Sequence, residues 1–327
     1  MNAHYNDKTV LITGAAGTVG RELVRQLVGF FPKELRILDN NESALFLPGN
    51  EYRHAGRVIP YLGDVRDDQK LTNVTREVDV IFHLAAFKHV GLAESNPFEA
   101  VQTNILGVRN VAQAAQINCV SSVIFASSDK AANPTNVMGT SKLMGERIIT
   151  AANIFQNNGH QAFSSVRFGN VLGSGGSVVP IFARQILAGE EVTVTDARMS
   201  RFVMTVQEAA KLLLEAPLIA CGGEVLVFKM VAIRILDLAR AMIEMLTART
   251  CKDKESITIK FIGAQPGEKL YEELMTEGEA GRTKELPTMF AILPALRGYI
   301  KRLNITIKMQ CRSVTAYRLT LPNWKFP

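Results

Sequence analysis

Lys8-Thr9-Val10-Leu11-Ile12-Thr13-Gly14-Ala15-Ala16-Gly17-Thr18-Val19-Gly20 decides the fold of this 327-residue chain. A short β-branched run ends in glycine, a turn with three glycines follows, and an amphipathic stretch continues to Val28. Strand, glycine turn and helix in that order suit a dinucleotide. The missing side chains let the backbone approach a pyrophosphate, whose charge the helix N-terminus favours. Leu35-Arg36-Ile37-Leu38-Asp39 reads as the next strand. Its terminal acid stands about 20 residues beyond the last glycine, where it can accept hydrogen bonds from a ribose diol.

Further out, residues 58–65, 79–86 and the apolar run Ser122-Val123-Ile124-Phe125 read as strands, with a helical stretch over 97–117. This alternation predicts an α/β fold, a Rossmann-type doubly wound parallel sheet with ligands at the carboxyl ends of its strands. Asp64, Ala85, Ala86 and Lys88 fall at such ends. Asp64 suits an adenine edge and Lys88 the phosphates or the nicotinamide ribose; a plain surface charge is the alternative for both. His83 and His89 read as structural. Ala126-Ser127-Ser128-Asp129-Lys130 then closes its strand with a hydroxyl, a carboxyl and an amine on consecutive positions. Met138 and Lys142 stand four apart on the helix expected over 136–155, so both project from one face.

Residues 164–171 read as another strand, and Gly173-Ser174-Gly175-Gly176-Ser177 as a crossing into a second lobe. Strands follow at 191–195, 224–228 and 258–262, helices at 206–219 and 234–246, and Pro266-Gly267-Glu268-Lys269-Leu270 opens a last helix. The boundaries are therefore 1–171 with about 197–230 for the nucleotide domain, and 172–196 with 231–295 for a smaller, interleaved α/β substrate lobe.

A hydrophobic content of 47% with 21% charged residues is an ordinary globular balance. No apolar run reaches the roughly 18 residues of a membrane span, and the N-terminus has no signal pattern, so the chain is expected in the cytoplasm. Cys119, Cys221, Cys251 and Cys311 lack metal-ligand spacing and read as unbridged thiols, with no metal site expected. The net charge of +6 includes seven basic and no acidic residues from Leu296 onward, which leaves −1 for residues 1–295. A polyanion-binding surface, and with it nucleic acid as a partner, is not expected. The basic tail, 296–327, reads first as a segment packed on its own domain; an added strand, a subunit contact or a patch for anionic membrane surface are the alternatives.

These segments resemble the extended short-chain dehydrogenase/reductase superfamily, and within it the bacterial nucleotide-sugar 4,6-dehydratases of polysaccharide and nonulosonic-acid biosynthesis. The likeness rests on the glycine turn, His83-Leu84-Ala85-Ala86-Phe87-Lys88-His89-Val90, Ser127-Ser128-Asp129-Lys130-Ala131, Pro134-Thr135-Asn136-Val137-Met138-Gly139-Thr140-Ser141-Lys142, Val166-Arg167-Phe168-Gly169-Asn170-Val171 and Pro266-Gly267-Glu268-Lys269-Leu270-Tyr271-Glu272-Glu273. It implies NAD, or NADP, as a tightly bound cofactor regenerated each turnover. Gly14, Gly17, Thr18, Val19, Gly20, Asp39, Asn40, Asp64, Val65, Ala85, Ala86, Lys88, Asn104, Ser127 and Lys142 would hold it. The implied substrate is a nucleotide-diphosphate N-acetylhexosamine, UDP-N-acetylglucosamine or a GDP-linked analogue, touched by Lys88, Asn170, Arg198, Arg201 and Glu268. A homo-oligomer is implied as well.

The resemblance makes Ser128, Asp129, Lys130, Met138 and Lys142 the catalytic group. Oxidation at C4 acidifies the C5 proton, water leaves across C5 and C6, and hydride returns to C6. Lys130 is the base at C5 and Asp129 the acid at C6, which needs a neutral amine and a protonated carboxyl; a salt bridge between the two is the alternative. Ser128 would hold the C4 oxygen and Lys142 the nicotinamide ribose. Met138 stands where most of the superfamily has tyrosine, so the C4 hydroxyl proton leaves through Asp129 or an ordered water. Gln265 stands where the family usually has arginine, which removes a bidentate phosphate fork. A nucleotide-sugar 4-epimerase and a non-catalytic NAD-binding scaffold are the rival readings of this fold.

Overall fold

The computed structural model describes residues 1–52, 57–153, 161–250 and 257–295. Fourteen strands are found there: β1 Thr9–Thr13, β2 Glu34–Asp39, β3 Val58–Leu62, β4 Val80–His83, β5 Ser122–Ala126, β6 Ala162–Arg167, β7 Asn170–Val171, β8 Val192–Val194, β9 Ser200–Met204, β10 Val225–Phe228, β11 Val231–Arg234, β12 Ile259–Phe261, β13 Thr283–Glu285 and β14 Met289–Ile292. Nine of them form one sheet in the order β13-β14-β10-β6-β5-β4-β1-β2-β3. From β3 through β10 every pairing is parallel, and the order reverses between β1 and β4. That reversal opens a crevice at the carboxyl ends of these two strands.

Strands buried on both faces read as continuous apolar runs, and β1 and β5 are buried at all five positions. On one face the helix Thr18–Val28 sets Leu23, Val24 and Leu27 against the strands and the helix Val206–Ile219. On the other, the helices Asp68–Val74, Gly107–Ile117 and Val137–Ala152 contribute Leu71, Val108, Val111 and Ile149. A separate apolar cluster gathers Phe182, Ile186, Val192, Val194, Ile235, Ala239 and Ile243 from the second lobe.

Four expectations are corrected. The stretch from Pro266 is a turn, not a helix: Gly267 has φ +80°, and its carbonyl accepts from Asn136 Nδ2 at 2.9 Å. A side chain at Gly267 would come within 2.9 Å of Asn136 Cβ, so this contact fixes the turn. Strand 164–171 divides at Phe168-Gly169, where β6 stays in the large sheet and β7 joins β9 and β11 in another. β9 therefore leaves the domain assigned to 197–230. Conversely, β13 and β14 extend the large sheet beyond β10, although their residues fall within the boundaries of the substrate lobe. The helix over 97–117 is interrupted by a π-helical turn, Gln102–Leu106. Among the described residues no helix is long and apolar enough to cross a membrane; the basic tail, Cys251 and Cys311 lie outside them.

Candidate active site

A cleft of about 810 Å³ opens at the strand-order reversal. On one side the glycine turn forms its floor. Gly14 has φ +70°, and a side chain there would stand 2.6 Å from the Ala85 nitrogen. Gly20 would meet the Gly14 carbonyl. Gly17 caps the helix Thr18–Val28 without a side-chain hydrogen bond, so the first helical N–H groups are left for a ligand. Asp39, at the end of β2, accepts from the backbone of Ala16 and Asn41, each at 3.0 Å. Asn40 donates to Asp64 at 3.1 Å, and Asp64 accepts from the Arg66 N–H at 2.9 Å. Thr18, Val19, Val65, Ala85 and Ala86 complete this arm, which fits the diphosphate and ribose of a dinucleotide. Arg66 also lines it, paired with Glu99 at 2.5 Å; only its place beside Asp64-Val65 signalled it in the sequence.

Where β5 ends, Ser127, Ser128 and Lys130 enter the cleft. Ser128 Oγ donates to Asp129 Oδ1 at 2.9 Å and accepts from the Lys130 N–H at 3.2 Å, closing a tight turn over Asp129–Ala131. Lys130 Nζ lies 3.0 Å from Asp129 Oδ1, so the two are held as an ion pair, the alternative arrangement read from their adjacency. It also lies 3.3 Å from Asn170 Oδ1, and Asn170 too lines the cleft. Across from them the helix Val137–Ala152 starts at Asn136, whose Oδ1 accepts from the Gly139 N–H at 2.7 Å. Met138 packs with Val90, Ala93 and Ala100. One turn on, Lys142 Nζ donates to the Ala126 carbonyl at 2.7 Å and lies 4.7 Å above the Phe125 ring. Burial pulls its ammonium down to about 7, against an opposing pull from Glu146. His83, fully buried with Nδ1 2.6 Å from Thr13 Oγ1, is driven by burial to about 3 and is neutral.

Five expected site residues do not line the cleft. Asp129 sits behind Lys130 with no exposed surface. Asn104, carried inward by the π-helical turn, clamps the Phe87 N–H and carbonyl at 2.8 and 2.9 Å and so shapes the cleft wall from behind. Arg198 is exposed and paired with Asp196. Arg201 is buried, its Nη1 donating to the Ser200 and Leu270 carbonyls. Glu268 accepts from the Gln265 N–H, closing its own turn. Lys88, by contrast, spans the cleft to donate to the Gly175 carbonyl at 2.9 Å. His89, read as structural, is also on the wall, against Gly176. Glu272 carries no sequence signal beyond its place in the last motif, yet reaches to 3.6 Å from Lys130 Nζ.

A parallel sheet in this order, with a glycine cradle at its reversal and a Ser-Asp-Lys turn facing a helix-borne lysine, defines an extended short-chain dehydrogenase/reductase. Residues 10–294 match the family described as polysaccharide biosynthesis protein, and the chain belongs to that family. An uncharacterised membrane protein of Methanocaldococcus jannaschii is 47% identical over 89% of this chain and 87% of its own. A UDP-N-acetylglucosamine 4,6-dehydratase (inverting) of Campylobacter jejuni is 36% identical over 90% and 85%. A UDP-glucose 4-epimerase of Rickettsia bellii is 35% identical over 88% and 83%. The crystal structure of Pen from Bacillus thuringiensis superposes with a TM-score of 0.85 at 44% identity, covering 89% of this chain and 91% of that one.

Proposed function

We propose that the chain is an NAD-dependent nucleotide-sugar 4,6-dehydratase acting on UDP-N-acetylglucosamine or a close analogue. The observation that carries this is Lys130, backed by the buried Asp129 carboxylate, at the mouth of the nucleotide cleft where a 4-epimerase needs no such pair. Bound NAD supplies the hydride acceptor at C4 and the donor at C6. Through Ser128 Oγ, which lines the cleft and donates to Asp129 Oδ1, the buried Asp129 takes the C4 hydroxyl proton in place of the absent tyrosine and gives it to the departing C6 hydroxyl. Lys130 removes the C5 proton, exchanges it with solvent and delivers one proton back to C5 at the end, which balances the protons over one turnover. Lys142 holds positive charge beside the C4 oxygen while it bears negative charge. The sugar lies between Lys130 and Asn170 on one side and Met138 on the other. Helices over 97–117 and 137–152, which expose Phe98, Ile117 and Met144, pair two copies of the chain.

Incubation with UDP-N-acetylglucosamine in heavy water, followed by proton NMR, tests the reading. A 4-keto-6-deoxy product with deuterium at C5 is expected. A sugar inverted at C4 that keeps its C6 hydroxyl would make the enzyme an epimerase, the activity named for its Rickettsia relative.

A further inference from the structure

The turn that carries Asp129 and Lys130 is gripped from behind by Lys269, which does not itself line the cleft. Lys269 Nζ donates to the Ala132 carbonyl at 3.3 Å and to the Asn133 carbonyl, and its side chain is only 16% exposed. Among the described residues no other donor reaches these two carbonyls. Asn133 has φ +45°, in the left-handed region that a residue other than glycine enters at a cost. Its side chain is held as well, Nδ2 donating to Glu273 Oε2 at 2.7 Å. Lys269 and Glu273 stand four apart, so one short stretch holds both the carbonyl and the side chain of this residue. A strained conformation persists only where its surroundings over-determine it.

The bonds within the turn fix its shape but not its place. The N–H groups of Ala131 and Ala132 donate to the Ser128 and Asp129 carbonyls at 3.0 and 3.1 Å, and that of Lys130 to Ser128 Oγ at 3.2 Å. On the entering side the Asp129 N–H donates outward, to the Phe168 carbonyl at 3.2 Å. On the leaving side the hold is Lys269. Three residues beyond Asn133, Asn136 caps the helix that bears Met138 and Lys142, so a shift at Asn133 reaches both halves of the site. We propose that Lys269 is a positioning residue: its ammonium, on the Ala132 and Asn133 carbonyls, sets where the Ser128-Asp129-Lys130 turn stands against the helix Val137–Ala152. Its effect on turnover rests on the dehydratase reading; its hold on the turn does not.

Lys269→Met keeps the aliphatic stem and loses the donors, whereas Lys269→Arg keeps donors for both carbonyls. In the NAD-loaded full chain, hydrogen exchange at the amides of Lys130, Ala131 and Ala132 should be about tenfold faster in Lys269→Met than in the wild type, with β1 and β4 unchanged. Lys269→Arg should exchange as the wild type does. With UDP-N-acetylglucosamine, kcat of Lys269→Met should fall about tenfold or more with KM little changed, because the turn is misplaced while the nucleotide arm is intact. Lys269→Arg should recover most of that rate. Wild-type exchange in Lys269→Met would overturn the proposal, and so would equal losses in Lys269→Arg, since the donors would then not be what matters. Even if Lys269→Met did not fold, amides 130–132 exchanging in the wild type as in an open peptide would overturn it. Should the wild type leave the sugar nucleotide unchanged, the dehydratase reading falls, while the exchange rates still decide whether Lys269 holds the turn.

Discussion

Lys142 was legible as a residue because four positions from Met138 on a helix means one face; its ionisation was not, because that depends on burial. Folding places its ammonium over Phe125 with the Ala126 carbonyl as acceptor, and burial lowers it to about 7. An unfolded lysine titrates at about 10.4. Between these values the unfolded chain holds a proton that the folded chain has released, so stability rises with pH through this window. The contribution is smallest below pH 7, where burial opposes the charged form. Lys142→Met removes this term, so from pH 7 to pH 9 the wild type should gain about 2 kcal/mol over the variant. Urea unfolding of nucleotide-stripped protein at the two pH values measures it; an unchanged gap would mean that Lys142 does not titrate there. Glu272 was less legible still, because what makes it special is a lysine 142 positions away in the chain.

Elements that obey one simple period were readable in advance. β1, β4 and β5 are largely apolar runs because they are buried at every position, and the helix Thr18–Val28 shows its stripe. What escaped obeys no period. Thr283-Lys284-Glu285 has no apolar residue to mark a strand, yet it forms β13 by pairing antiparallel with β14. The π-helical turn leaves the apolar pattern of 97–117 nearly intact while turning Asn104 into the core. A third hidden feature is the contact between the turn bearing Asp129-Lys130 and the first turn of the helix Val137–Ala152. Gly139 lies against the Lys130 carbonyl so closely that an added Cβ would overlap it. Gly139→Ala should cost about 1–3 kcal/mol of stability, as overpacking does. It should lower turnover at least tenfold by separating Met138 and Lys142 from Lys130. Retained dinucleotide, measured by absorbance after denaturation, should be unchanged, because the glycine cradle is on another element. Wild-type kcat in this variant would show that the two turns need not touch.

Across the whole molecule, the end of β5 is tied to the helix Glu277–Ala280 by a buried ionic network. Arg167 on β6, with no exposed surface, donates to Glu146 at 2.7 Å through both Nε and Nη2. It donates to Glu279 at 2.8 and 2.9 Å from Nη1 and Nη2. Glu146 also accepts from Ser127 Oγ at 2.6 Å, so one guanidinium joins the helix Val137–Ala152, the end of β5 and the helix Glu277–Ala280. Arg167 stood inside a recognisable motif, but its partner is 112 residues away, and nothing local to either announces the pair. Such a network is strongly destabilising when broken on one side, because the remaining charge stays buried without its counterion. Glu279→Ala should therefore cost about 3–5 kcal/mol. Because Glu279 holds the guanidinium from the helix Glu277–Ala280, the loss should loosen the segment that carries Glu272 before the central strands of the large sheet unfold. Hydrogen exchange tests this order: in Glu279→Ala, amides of 270–285 should lose protection at denaturant concentrations that leave β1, β4 and β5 protected. Simultaneous loss in both regions would mean that the network stabilises the fold as one unit and gives the segment 270–285 no separate anchor.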